Sequence, residues 1–143
     1  METKEKTFLS IEEVNELLPS EMKIDGFNKL ERSVYATTNG KPLPIVNSKY
    51  HEKMNCYWYS SVTNYFKEIG AQYICFTVGN LGILLVPIDE VIEYNKHSGW
   101  KSESKKGRQY HVRIKQEVND GNIILRFIET KEDITKYLTK LSK

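Results

Sequence analysis

The stretch that most constrains the fold is residues 73–88, YICFTVGNLGILLVPI, which holds two apolar runs around a glycine-bearing turn. Apolar residues occupy successive positions in both runs instead of alternating with polar ones. A strand with this pattern is covered on both faces. The stretch therefore predicts a buried hairpin at the centre of the protein, which the rest of the chain covers or extends.

Helical signals flank this hairpin. Ser10 and Glu13 have the spacing of a capping box, and Leu9 is placed to pack onto Val14. The predicted helices are residues 10–18, residues 62–69 with Gly70 as the C-cap, residues 89–97, and a C-terminal helix from Thr130 that buries Ile134, Tyr137, Leu138 and Leu141. At 143 residues, the chain is predicted to be a single α+β domain over residues 10–143, preceded by a flexible tail over residues 1–9.

The strand signals predict a mixed or largely antiparallel sheet of about 5–7 strands, covered by the N-terminal, central and C-terminal helices. Residues 34–46 are expected to form a hairpin with a two-residue turn at Asn39-Gly40. Pro42 and Pro44 lack N–H groups on the same side, which favours an edge strand. Residues 56–60 predict another strand, and residues 98–107 a polar loop.

The final hairpin has the clearest pattern. Residues 110–118 alternate between apolar and polar positions, and residues 123–129 return after Asp120-Gly121. A two-residue turn there pairs Val118 with Ile123 and places Lys115 directly across from Arg126. Like charges that face each other across two strands are destabilising, unless the side chains splay into water or an anion lies between them.

Charge is distributed unevenly along the chain. Residues 1–93 contain 9 basic and 13 acidic side chains, for a net charge of −4, whereas residues 94–143 contain 12 basic and 6 acidic ones, for a net charge of +6. Such asymmetry points to an anionic partner for the C-terminal third. Basic and aromatic residues interleave there, as nucleic-acid binding requires. The predicted nucleic-acid-binding residues are Trp100, Lys101, Lys105, Lys106, Arg108, His111, Arg113, Lys115 and Arg126.

Three alternatives stay open at this point. Residues 57–59, Tyr-Trp-Tyr, form either a base-stacking platform or part of the core. A metal-dependent nuclease needs two carboxylates and a lysine, and the two sets with suitable spacing are Asp89/Glu103/Lys105 and Asp120/Glu129/Lys131. The same basic surface could instead dock an acidic protein, as an interaction or inhibitor module does.

The remaining signals concern the compartment and cofactors. Cys56 and Cys75 both lie in apolar or aromatic runs, which favours buried free thiols in a reducing cytoplasm. The N-terminal residues lack the apolar segment of a signal peptide, and no apolar run is long enough for a membrane helix. We therefore expect a cytoplasmic protein that has no membrane contact, no metal, no cofactor and no catalytic residues.

Residues 82–94 (GILLVPIDEVIEY), 108–114 (RQYHVRI) and 133–138 (DITKYL) resemble small domains found in or beside bacterial restriction and phage-defence nucleases. In those domains an apolar strand ends in proline and leads into a helix, and the resemblance covers residues 57–138. The active members carry a metal-binding Asp and a Glu-x-Lys sequence on their central strands. Residues 73–88 contain no acidic residue and no lysine, so the resemblance implies a non-catalytic, nucleic-acid-associated module of a defence or mobile-element system.

Overall fold

The computed structural model describes residues 9–98 and 100–141, and for residues 27, 28, 100 and 101 it describes the backbone alone. The helices are α1 (Ile11–Leu17), α2 (Thr63–Glu68) and α3 (Ile88–Asn95), and 3-10 turns cover Ser20–Met22 and Thr135–Tyr137. The strands are β1 (Ile24–Glu31), β2 (Val34–Thr37), β3 (Pro42–Ser48), β4 (Tyr50–His51), β5 (Cys56–Ser61), β6 (Tyr73–Val78), β7 (Gly82–Pro87), β8 (Trp100–Ser104), β9 (Gly107–Asn119), β10 (Asn122–Phe127) and β11 (Leu138–Lys140).

The strands form two sheets. A six-stranded sheet has the order β1-β2-β3-β6-β7-β11, and a five-stranded sheet has the order β10-β9-β5-β4 with β8 beside β9. The β3–β6 pair is parallel and the other pairs are antiparallel. The predicted α+β class with a mixed sheet is confirmed, although the strands are divided between two sheets.

The β6–β7 hairpin is the centre of the six-stranded sheet and is buried on both faces, as its apolar pattern predicts. Phe76 and Leu84 pack into the larger core, which also contains Tyr59 of the other sheet. Cys75 and Ile83 face the opposite way, into a smaller core that includes Val14 of α1. The hairpin therefore separates the two apolar layers of the protein.

Local signals near the N-terminus are reproduced. Ser10 caps α1, and its reciprocal hydrogen bonds with Glu13 complete the predicted capping box. Leu9 is buried in the same small core as Val14, and residues 1–8 of the predicted tail lie outside the described residues. Cys56 and Cys75 are buried free cysteines, as expected. The helices in the described part of the chain are too short and too polar to span a lipid bilayer.

The predicted C-terminal helix is wrong. A 3-10 turn and strand β11 replace it, and β11 pairs with the edge of β7 through Leu138↔Leu84, Thr139↔Ile83 and Lys140↔Gly82. Gly82 permits this pairing, because a Cβ atom there would lie 2.2 Å from the carbonyl oxygen of Thr139. Pairing with the open edge of the buried strand β7 is favoured over the helix that the spacing of the apolar residues predicts.

The hairpin over residues 34–46 exists, but its turn and its position differ from the prediction. Ala36 and Pro42 are the last pair before the turn, so five residues lie between them instead of two, and Gly40 adopts a φ of 80°. Strand β3 is internal and not at an edge, because β6 pairs with it from Ile45 onward. The backbone nitrogen of Ile45 donates toward β2, to the carbonyl oxygen of Ser33. Because backbone nitrogens alternate in direction along a strand, the nitrogens of Pro42 and Pro44 point away from β2. Both prolines precede Ile45, which is the first residue of β3 that pairs with β6.

The predicted polar loop over residues 98–107 is also wrong. Strand β8 occupies most of it and pairs with β9, with Ser104 opposite Gly107 and Glu103 opposite Arg108. Lys105 and Lys106 form the turn between the two strands. The side chain of Ser104 accepts a hydrogen bond from the backbone nitrogen of Lys106 and donates one to the carbonyl oxygen of Gly107. These hydrogen bonds order the turn, in a segment whose composition alone predicts a loop.

Candidate nucleic-acid interface

The predicted binding residues lie on strand β9 and on its neighbours. Val112 and Ile114 of β9 are buried in the core. His111, Arg113 and Lys115 alternate with them and therefore lie on the opposite face of the five-stranded sheet, which we call the outer face. The sheet thus brings these three side chains into one row.

The predicted register of the last hairpin is confirmed at every position. Val118 pairs with Ile123, and Lys115 pairs with Arg126. The apolar face that this register creates is buried near Phe127 but reaches solvent toward the turn, where Val118 is 70% exposed. The cross-strand pair of cations is therefore a real feature of the outer face.

Glu117 lies between these two cations. One carboxylate oxygen, Oε1, accepts a hydrogen bond from Nε of Arg126 at 3.0 Å, and Oε2 lies 3.9 Å from Nζ of Lys115. The carboxylate of Glu117 is therefore an anion, supplied by the chain itself, that offsets the repulsion between Lys115 and Arg126. The three side chains are each 38–44% exposed, so the cluster remains open to solvent.

Arg113 is bound by a second carboxylate. Its guanidinium pairs with Glu129, and Glu129 also accepts a hydrogen bond from the hydroxyl of Tyr94 on α3. Burial raises the pKa of Glu129, but the hydrogen bonds from Tyr94 and Arg113 outweigh this effect and hold that pKa below its usual value. The Tyr94 hydroxyl also accepts a hydrogen bond from the backbone nitrogen of Arg113 at 3.3 Å. This network anchors Arg113 to α3.

Strand β5 contributes an aromatic side chain that sequence reasoning left open. Tyr57 and Tyr59 are buried, whereas Trp58 is half-buried on the outer face beside Arg113. Its indole nitrogen donates to Nδ1 of His111 at 2.6 Å, and the Arg113 guanidinium lies 5.7 Å from its ring centre. Alternation along β5 therefore places the two tyrosines in the core and Trp58 on the outer face.

The β8–β9 turn forms a separate site. Lys105, Lys106 and Gln109 line a cavity of about 430 Å³ together with Arg32 and Ser33 of the β1–β2 turn, and we call it the turn cavity. Lys106 also pairs with Glu31 and lies 5.1 Å from the ring centre of Tyr65. Arg108 pairs with Glu103 at 3.4 Å. The side chains of the remaining predicted residues, Trp100 and Lys101, lie outside the described atoms.

Carboxylates offset most of the predicted cationic surface. Five of the six predicted basic residues with described side chains form an ion pair, and the acidic partners are Glu31, Glu103, Glu117 and Glu129. Counting these four acids lowers the formal charge of the six-residue set from +6 to +2. Glu103, Glu117 and Glu129 lie in the basic third of the sequence and are already included in its net charge, whereas Glu31 comes from the acidic part of the chain.

A groove of about 700 Å³ lies on this face. Its lining includes Lys115, Glu117, Arg126 and Lys131, with Met54 and Ile128 as apolar walls. Lys131, a member of one candidate nuclease set, adds a third cation to this lining. The backbone of Lys131 has a φ of 62°, and its carbonyl oxygen accepts a hydrogen bond from Nη1 of Arg126 at 3.2 Å. The groove therefore holds Arg126 in place from two sides.

The turn cavity and the groove lie near opposite ends of strand β9. Gln109 lines the first and Lys115 the second, and six residues of continuous strand separate them. At the rise of an extended strand, this separation is about 20 Å. Trp58, His111 and Arg113 lie between the two ends. The arrangement is a track with cations at both ends and an aromatic side chain near its middle.

The nuclease set Asp120/Glu129/Lys131 is not assembled. Asp120 precedes strand β10 and Glu129 follows it, and the six residues of that strand span about 20 Å. Both carboxylate oxygens of Glu129 are already bound. In the other set, Asp89 pairs with Lys67 and Glu103 pairs with Arg108. Within the described residues, no group of three or more His, Cys, Asp and Glu side chains is placed to hold a metal ion.

Comparisons of the chain with protein-family models, with curated proteins and with solved structures found no match.

Proposed function

We propose that the protein binds single-stranded nucleic acid, with DNA preferred over RNA, along the outer face of β9 and without catalysing a reaction on it. The observation that carries the proposal is the groove, in which Lys115, Arg126 and Lys131 share the lining with one carboxylate, that of Glu117. Phosphate groups are the ligands that such clustered cations bind in nucleic acids.

The position of Trp58 favours a single strand over a duplex. An indole can stack on a base only when that base is unpaired and splayed outward. Trp58 is half-buried and its nitrogen is held by His111, so its orientation on the sheet is fixed. Arg113 lies against the same ring and can contact a neighbouring phosphate. Stacking in the middle of the track and phosphate contacts at its ends fit one short strand.

The test is a titration of fluorescently labelled single-stranded DNA and RNA of about 15 nucleotides, read by anisotropy at about 50 mM salt. The double variant Lys115→Ala/Arg126→Ala should weaken binding and reduce the slope of log affinity against log salt by about 1 to 2. A matched control is Lys41→Ala/Lys140→Ala, which removes the same charge from exposed positions in the β2–β3 turn and on β11.

Equal weakening by both double variants would mean that the attraction is general and not located on the outer face. Binding of an acidic protein that persists at about 1 M salt, where exposed charges are screened within ~3 Å, would favour the interaction-module alternative. The link to defence nucleases remains a separate prediction, and the genes that neighbour this one test it.

A further inference from the structure

The groove has a charge that distinguishes between kinds of phosphate. Lys115, Arg126 and Lys131 contribute +3 and Glu117 contributes −1, so the formal charge of the lining is +2. A phosphodiester within a strand carries one negative charge. A phosphate monoester at a strand end carries nearly two at neutral pH, because its second pKa is about 6. A phosphate monoester therefore neutralises nearly all of the formal charge of the groove lining, whereas a phosphodiester neutralises half of it.

Glu117 shows how an oxyanion is held at this position. Its two oxygens contact two cations that face each other across β9 and β10. A phosphate group presents oxygens in the same way and carries more of them. The carboxylate of Glu117 thus occupies the place that a ligand oxyanion would take.

The guanidinium of Arg126 is held in an orientation that suits such a ligand. Its Nε binds Glu117 and its Nη1 binds the carbonyl oxygen of Lys131. These two bonds fix the plane of the guanidinium, whereas Nη2 has no hydrogen-bond partner among the described residues. A guanidinium held this way loses little freedom when it binds phosphate, and its fork geometry suits two oxygens at once.

The groove also has room for the rest of a terminal nucleotide. Its volume of about 700 Å³ lies within the range of about 300–1,000 Å³ that small-molecule sites occupy. Met54 is 45% exposed and forms an apolar wall with Ile128. A sugar or base attached to the phosphate can pack against this wall.

Resting on the proposed function, we infer that the groove binds the phosphorylated end of a nucleic-acid strand, with the phosphate monoester displacing Glu117 from between Lys115 and Arg126. Glu117 is then a specificity residue, because it competes with every incoming phosphate and a dianion displaces it more readily than a monoanion does. No covalent step is involved.

The test uses single-stranded DNA of one sequence with three 5′ ends, namely phosphate, methyl phosphate and hydroxyl, and a parallel 3′ series. The methyl ester has the shape of the monoester but one charge fewer. At one of the two ends, we expect the strand with the monoester to bind about fivefold more tightly than the strand with the methyl ester. This is the factor that one additional contact between unit charges gives in water. Glu117→Gln should raise the affinity for all strands, whereas Glu93→Gln, an exposed ion-paired carboxylate of α3, should not.

The outcomes separate the two proposals. If the wild-type protein binds every strand equally well in both series, the inference about phosphorylated ends is wrong and the proposed function stands. If it binds none of them at low salt, the proposed function fails as well. A Glu117→Gln variant that folds normally, as judged by circular dichroism, and gains no affinity would overturn the role assigned to Glu117.

Discussion

Lys115 and Arg126 face each other directly across the β9–β10 hairpin, although both are cations. Glu117, two residues from Lys115 on the same face, contacts both of them. The pair is therefore not a simple repulsive contact but two sides of an oxyanion site that the chain fills with its own carboxylate. Both the stability of this hairpin and its proposed affinity for phosphate depend on that carboxylate.

Replacing Glu117 should leave the repulsion between Lys115 and Arg126 without an offsetting anion. We expect Glu117→Gln to lower the free energy of unfolding by about 0.5 kcal/mol, because like charges then face each other without an anion. Adding Lys115→Ala to that variant should recover most of the loss. Urea denaturation of the wild type, both single variants and the double variant gives the coupling energy. Additive effects in this cycle would show that Glu117 does not mediate between the two cations.

Glu129 should make stability depend on pH in the acid range. Its pKa is depressed in the folded protein, so the ionised carboxylate stabilises the fold above its ordinary pKa of about 4.3. That contribution is lost as the pH falls through the lower folded-state value. Glu129→Gln should therefore destabilise the protein by about 1–3 kcal/mol at pH 7 and by progressively less below pH 4, as measured by urea denaturation.

Glu132 provides a control of opposite sign. Burial and the nearby Glu90 raise the pKa of Glu132, so its ionised form costs stability at neutral pH. Glu132→Gln should increase the free energy of unfolding at pH 7, and the gain should disappear as the pH falls and the wild-type carboxyl becomes protonated. A constant difference between Glu129→Gln and the wild type from pH 7 to pH 3 would contradict the role of the Glu129 charge.

Gly82 should be essential for docking β11. A methyl group at this position would lie 2.2 Å from the carbonyl oxygen of Thr139, so Gly82→Ala must separate the two strands. We expect a loss of about 1–3 kcal/mol, the usual cost of overpacking, and faster amide hydrogen exchange over residues 138–141. Thr139→Ala is the control, because it shortens an exposed side chain and leaves the backbone pairing intact.

Trp58 should report directly on ligand binding. The chain has two tryptophans, Trp58 and Trp100, so the Trp100→Phe variant isolates the fluorescence of Trp58. Single-stranded DNA should quench this fluorescence by stacking, and Trp58→Leu should weaken binding by about 1–3 kcal/mol. Trp58→Phe, which keeps an aromatic face, should weaken it less. Unchanged fluorescence at saturation would exclude Trp58 from the binding surface.

Sequence patterns succeeded where a single local signal determined the structure. The capping box at Ser10, the doubly buried β6–β7 hairpin and the register of Lys115 with Arg126 all follow from short-range rules. In each case the periodicity and the turn or cap chemistry agree, so one conformation satisfies both.

The failures have tertiary causes. Residues 138–140 have helical spacing but become β11, because β7 offers an unpaired edge and Gly82 permits close approach. The segment before Gly107 is polar, yet it becomes β8 because β9 extends beyond its other partners. Neither edge can be recognised until the sheets are assembled.

The candidate site was predictable in part. Alternation along β9 placed His111, Arg113 and Lys115 on one face, as observed. Long-range ion pairs were not predictable, since Glu31 meets Lys106 only through the packing of two distant turns. Lys131 likewise reaches the groove through a backbone conformation with positive φ, for which a lysine gives no sequence signal.

Residue-level mapping by NMR can locate the surface that binds nucleic acid. Unlabelled single-stranded DNA is added to ¹⁵N-labelled protein, and amide shifts are followed during the titration. We expect saturable shifts concentrated at residues 105–117, 126–131 and 58, with little change in α1, β1 and β11. No shifts at low salt, or shifts centred on α1 and β1, would contradict the assignment of the outer face as a nucleic-acid interface.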